Sequence, residues 1–139
     1  MKYIWVGVTL IRDDGSVLVQ HRDNKPNIPE PDKWGMCGGK REDSDATDAH
    51  AGARELQEET GYIANPDELI LFTEDEFDVG KTHVTRKFYV GKYDGLQEIH
   101  CFEGQEITFV PLDELKKLDF CETYHEMYLM EAGFHVEGN

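Results

Sequence analysis

The chain is poor in cysteine, in basic residues and in long apolar runs. Only Cys37, Cys101 and Cys121 occur, with no CxxC pair. An odd number at wide spacing speaks against a disulfide framework and against a zinc site. No stretch approaches the ~18 apolar residues that a membrane helix needs. The apolar start of the chain is interrupted by Arg12, Asp13 and Asp14, too early for a secretory leader. These shortages lead us to expect a cytoplasmic protein with reduced thiols and no membrane partner. Lys and Arg total 14 against 29 Asp and Glu, for a net charge of −15. Such a surface repels nucleic-acid phosphates, and no basic stripe offsets it, so nucleic acid is not an expected partner. Repeats, linkers and low-complexity tracts are also missing.

What is present suffices for a core. The 139 residues are 39% hydrophobic and 11% aromatic, and a domain of this size buries roughly 68–70% of its unfolded surface. We expect one domain over residues 1–139. Residues 3–11 have the Val, Ile and Thr content of a buried strand, and residues 17–21 form a second. The Asp13-Asp14-Gly15-Ser16 turn between them suggests a hairpin. Residues 23–32 hold three prolines and read as an irregular loop. A short apolar piece follows at 34–37 and ends at Gly38-Gly39. Residues 46–60 read as a helix, with Asp45 or Thr47 as its N-cap and Gly61 as its C-terminal cap. Strands are expected at 68–78, 84–93 and 107–110. A short helix after Pro111, at 112–118, and a final helix at 121–132 complete the chain. The order suits a mixed sheet with helices on its faces.

The informative segment is GGKREDSDATDAHAGARELQEETGY, from Gly38 to Tyr62. At about 100° per residue, Glu55, Glu58 and Glu59 share one helix face, while Ala49, Gly52, Ala53 and Leu56 form a neighbouring face able to pack on a sheet. Like charges at these spacings cost a helix roughly 0.2–0.5 kcal/mol per pair. The negative end of the helix dipole adds about 0.3–1 kcal/mol for each carboxylate near Gly61. A sequence shaped for stability alone would place lysines there. Hard oxygen donors on one face are what Mg²⁺ or Mn²⁺ takes, and Gly38-Gly39 permits a close backbone approach to such an ion. A solvated acidic face is the plain alternative for ExxEE by itself.

The whole segment resembles the Nudix box, G-x5-E-x7-R-E-U-x-E-E-x-G-U, the signature of hydrolases of nucleoside diphosphates linked to another moiety. Arg54, Glu55, Leu56, Glu58, Glu59, Gly61 and Tyr62 match its second half, and Gly39 its first glycine. Asp45 stands where the family has its first Glu. One extra residue, around Ala46, separates it from Arg54, so a bulged loop ahead of an intact helix is expected. Cys37 replaces a common Pro and reads as a small buried filler. The resemblance implies the Nudix fold, an α+β arrangement or α/β/α sandwich with a mixed central sheet flanked by helices.

It further implies Glu55, Glu58 and Glu59 as metal ligands, aided by the Gly39 carbonyl, with Mg²⁺ or Mn²⁺ as cofactor. Arg54 is implied as the residue that fixes a glutamate rotamer. A later loop glutamate completes such sites as ligand or base; Glu103 is the better match and Glu106 the alternative, and a helix glutamate remains open as the base. Arg22, Lys40 and Arg41 are candidates for substrate phosphate, each equally readable as plain surface. Trp34 reads as core, and His21, His83 and His100 as non-catalytic. The implied reaction is metal-assisted attack of water on a phosphoanhydride, in a small nucleotide such as a nucleoside triphosphate or a nucleotide sugar. The competing reading is a nucleotide-binding module weakened in catalysis, supported only by the altered front of the box. A calcium or acidic interaction protein lacks the D-x-[DN]-x-[DN]-G loop. Related enzymes are often homodimers, which leaves a homodimer open.

Overall fold

Alternation along the first strand sets both faces of the molecule. The computed structural model describes residues 1–121 and 128–132. Strand β1 (Lys2–Ile11) directs Val6, Val8 and Leu10 into one core cluster, while Trp5 and Ile11 belong to the other, as a period of two requires. β2 (Val17–His21) is buried over its first four residues. Two short strands follow the proline-rich loop, β3 (Trp34–Gly35) and β4 (Cys37–Lys40). Helix α1 (Asp48–Thr60) comes next, then a short 3-10 turn (Pro66–Glu68). The long pair β5 (Ile70–Val79) and β6 (Thr82–Lys92) precedes β7 (Glu106–Val110) and a 3-10 helix (Leu112–Lys117).

Among the described residues these strands make one seven-stranded mixed sheet, ordered β3-β2-β1-β6-β5, with β4 on β1 and β7 on β2. The β1–β6 pairing is parallel over the full length of β1, and β4 runs antiparallel from Trp5–Lys40 to Val8–Cys37. The expected β1–β2 hairpin is present, closed by the Arg12 N–H to Ser16 carbonyl bond at 2.9 Å, but it is short. The two strands meet only at Ile11–Val17, because β4 occupies that side of β1 and β2 pairs instead with β7 and β3.

Helix α1 packs Ala51, Ala53 and Leu56 against Val6, Val8 and Cys37. Gly52 allows the close approach, since a methyl there would meet Val6 Cγ1 at 3.2 Å. Leu115 of the 3-10 helix, with Leu129 and Ala132, covers the other face over Phe88, Val90 and Met36. Residues 128–132 are helical and Cys121 is not; the rest of the helix expected at 121–132 lies outside the described residues. The result is an α+β sandwich. No helix among the described residues is long and apolar enough to cross a membrane.

Candidate active site

The site is built where β4, α1 and the loop before β7 meet the end of β2. The helix begins at Thr47, whose hydroxyl accepts from the His50 N–H. It ends at Gly61, in the left-handed region at φ 79°. Between these caps it is continuous, so the extra residue near Ala46 is absorbed in the preceding turn. Thr47 rather than Asp45 is the cap, and that frees Asp45 for a different task.

Asp45 is buried and meets Arg54 through both oxygens, Nε to Oδ1 at 2.9 Å and Nη2 to Oδ2 at 3.0 Å. Its Oδ2 also accepts from the Glu42 N–H. Arg54 then reaches Glu55 at 3.0 Å, Glu58 at 3.3 Å and the Lys40 carbonyl at 3.2 Å. One guanidinium thus ties the bulged loop, β4 and two glutamates together. Its hydrogen bond to Asp45, then those to Glu55 and Glu58, hold its pKa above the usual arginine range, and Arg54 lowers that of Asp45. The shorter Asp, one residue further back than the family's Glu, still closes this pair.

Glu59 is 2% exposed. Its Oε1 accepts from Gln20 Nε2 at 3.0 Å and its Oε2 from the Gly38 N–H at 3.1 Å. Burial, followed by the charges of Glu103 and Glu55, raises its pKa to about 8 against the two donors. Glu55 is raised as well, mainly by burial, with Arg54 opposing and Glu58 and Glu103 adding. Glu58 is mostly exposed and turned toward Arg54. The three helix glutamates therefore differ: the charge of Glu103 acts on Glu55 and Glu59, while Glu58 borders Glu55 through Arg54. Glu106 opens β7 opposite His21.

Does this donor set suit a divalent cation? Among the described residues no three His, Cys, Asp or Glu side chains already close on one point as a metal cage. The chemistry of the set nevertheless fits. Glu55 and Glu59 both have a raised proton affinity, from burial first and then from neighbouring carboxylates, a shortage of positive charge that a cation would meet. Gly39 adds a steric argument, because a methyl there would overlap the Glu55 carboxyl group. The glycine leaves room for a carboxylate where any other residue would fill it.

The remaining candidates fare differently. Arg41 donates to Asp48 at 2.5 Å and to the Asp45 carbonyl at 3.1 Å, which makes it a brace for the bulged loop. Arg22 donates through Nε and Nη2 to the Pro29 carbonyl, pinning the proline-rich loop. Lys40 lies 4.9 Å above the Tyr3 ring. Trp34 is half-buried, packs on the second core cluster and stacks on His21. Cys37 is fully buried, as expected of a filler. Gln20 was not legible as a site residue, since a lone Gln in VLVQH looks like an ordinary strand position. Tyr3, Trp5, Arg22, Gly35, Met36 and Phe77 contribute to the lining of a cavity of about 260 Å³, whose Gly35-Met36 wall runs directly into β4.

The chain belongs to the NUDIX domain family, whose signature matches residues 1–129. It is accordingly a Nudix hydrolase, an enzyme acting on anhydrides of phosphorus. Solved structures share the fold at low identity. A MutT protein from Methanosarcina mazei Go1 is 20% identical, with 99% of this chain and 96% of that one covered and a TM-score of 0.75. The NUDIX domain of Shewanella oneidensis NrtR, solved with ADP ribose, is 17% identical over 98% of this chain and 89% of that one, at a TM-score of 0.76. A C. elegans Ap4A hydrolase is 14% identical, with 99% of both chains covered and a TM-score of 0.75.

Proposed function

We propose that this protein is a Mg²⁺-dependent pyrophosphohydrolase that cleaves the phosphoanhydride of a small nucleoside diphosphate derivative, a nucleoside triphosphate or a nucleotide sugar. The observation that carries the reading is the buried Glu59 carboxylate, crowded by the charges of the half-buried Glu55 and the exposed Glu103, a cost in stability that a bound cation would relieve. Glu55, Glu58, Glu59, Glu103 and the Gly39 carbonyl are the groups that would hold the ion, with Mn²⁺ as a substitute. A bound ion supplies charge neutralisation for phosphate oxygens and makes an attacking water more acidic.

The chain's own residues do the rest. Gln20 and the Gly38 N–H each occupy one oxygen of Glu59 and leave its other lone pairs available. Arg54, anchored on Asp45, fixes Glu55 and holds Glu58 beside it. Glu103, on the exposed loop, would take a proton from water at the phosphorus where it does not serve as a ligand, a helix glutamate being the alternative base. Water adds to phosphorus, the bridging P–O bond breaks, and a nucleoside monophosphate leaves with the other half. The aromatic cavity beside Gly35 suits a nucleoside in size. Cysteines outside any disulfide fit a cytoplasmic setting, and residues 1–139 act as one catalytic domain.

The test is a competition among a nucleotide sugar, a nucleoside triphosphate, a dinucleoside polyphosphate and a triphosphorylated RNA, with Mg²⁺ and with chelator. We expect turnover of one of the small nucleotides, lost with chelator. The highest kcat/KM on the RNA, or turnover unaffected by chelator, contradicts the proposal.

A further inference from the structure

Glu103 sits in a loop, yet a proton acceptor must be held within a fraction of an ångström to be effective. The backbone around it is anchored on both sides. The Phe102 N–H donates to the Glu59 carbonyl at 2.8 Å, and the Gln105 N–H to the His21 carbonyl at 2.7 Å. The Glu103 carbonyl itself accepts from Gln20 Nε2 at 3.0 Å. That same nitrogen donates to Glu59 Oε1, also at 3.0 Å. An amide nitrogen carries two hydrogens, so both are spent, one on the helix glutamate and one on the loop.

We infer that Gln20 is a positioning residue that sets the Glu103 loop in register with the Glu59 carboxylate. The inference rests on the proposed hydrolase reading. Gln20 is 5% exposed at the end of β2, where a strand position could as well carry an apolar residue. Its amide is instead buried with two partners on two other elements, an arrangement that costs free energy unless both bonds are made. Gly104 gives the second observation. It lies at φ +93°, and a methyl on it would stand 2.6 Å from the His21 carbonyl and 3.2 Å from Gln20 Cγ. The loop can close on Gln20 only because residue 104 has no side chain. Glu103 is thereby presented by a glycine turn and a glutamine clamp, while Glu59 is fixed by the same clamp and by Gly38. The charge of Glu103 accordingly acts on Glu59 and Glu55.

Gln20→Met keeps length and packing and removes the donors. We expect kcat to fall about 30-fold or more with KM within ~3-fold, and Mn²⁺ affinity without nucleotide to weaken ~10-fold, as for lost outer partners of metal ligands. In a Glu103→Gln background the same substitution should cost less than ~3-fold, because neighbours acting as one unit are not additive. Gly104→Ala, which pushes the loop off the clamp from outside, should reproduce the pattern if Gln20→Met folds poorly. Unchanged kcat in Gln20→Met, or an equal loss with and without Glu103, overturns the inference. If the wild type hydrolyses no nucleotide, the hydrolase reading falls separately. The Mn²⁺ measurement then decides the clamp alone, and unchanged affinity refutes it.

Discussion

Replacing Glu59 by Gln should stabilise the metal-free protein at high pH while abolishing turnover. Glu59 is buried beside Glu55 and Glu103, and its pKa is raised from the ordinary carboxyl value to about 8. The native state therefore keeps a proton on this group that the unfolded chain releases above about pH 4.5. Linkage then makes this group's contribution full below that pH and lost as pH rises through about 8. The ceiling is about 5 kcal/mol, and water entry and relaxation reduce it to a few kcal/mol. Gln carries no charge to lose. It forfeits about one hydrogen bond, roughly 1 kcal/mol, because its amide cannot accept from both Gln20 and the Gly38 N–H. At roughly 4 °C per kcal/mol for a domain of this size, Glu59→Gln should melt a few degrees below wild type at pH 5. It should melt several degrees above it at pH 9. The assay is thermal unfolding of both proteins in chelator across that range, comparing the difference in Tm so that other titrating groups cancel. Saturating Mg²⁺ should then reverse the order at high pH, since only wild type gains binding energy, about 2.7 kcal/mol at 100 times Kd. A Tm difference that stays flat with pH, or a variant less stable throughout, refutes the reasoning.

Gly39→Ala should leave the fold within ~2 kcal/mol yet lower kcat by on the order of 100-fold, since the methyl displaces the Glu55 carboxylate; near-normal kcat would disprove the steric argument. Asp45→Asn should cost about 2–3 kcal/mol by denaturant unfolding and lower kcat as Arg54 loses its anchor; no change in either would show that the bulged loop needs no such pair. Arg41→Ala should lower stability by about 1 kcal/mol and leave KM unchanged, because Arg41 serves Asp48; a KM raised tenfold would restore it as a substrate ligand.

Local structure was legible where periodicity and punctuation coincide. Residues 17–21 matched a strand to the residue, and Gly61 ended the helix as its left-handed conformation requires. The glutamate face and Arg54 were legible because their spacing carries chemistry that a helix designed for stability would avoid. Pairing over distance was not. Nothing in residues 2–11 says that β6 runs parallel to them or that β4 displaces β2, since register depends on the whole sheet. The binding of Asp45 to Arg54 and the contacts of Gln20 depend on groups meeting from separate elements. The ion pair of Arg41 with Asp48, the first residue of α1, was not legible for the same reason.

The most direct measurement is hydrolysis in heavy-oxygen water with Mg²⁺, reading the products of a nucleotide panel by mass, for wild type and for Glu55→Gln and Glu59→Gln. The account predicts a nucleoside monophosphate from wild type, one solvent oxygen in a phosphate of one product, and loss of the reaction with chelator or either substitution. Turnover that survives both substitutions, or label found outside phosphate, would contradict it.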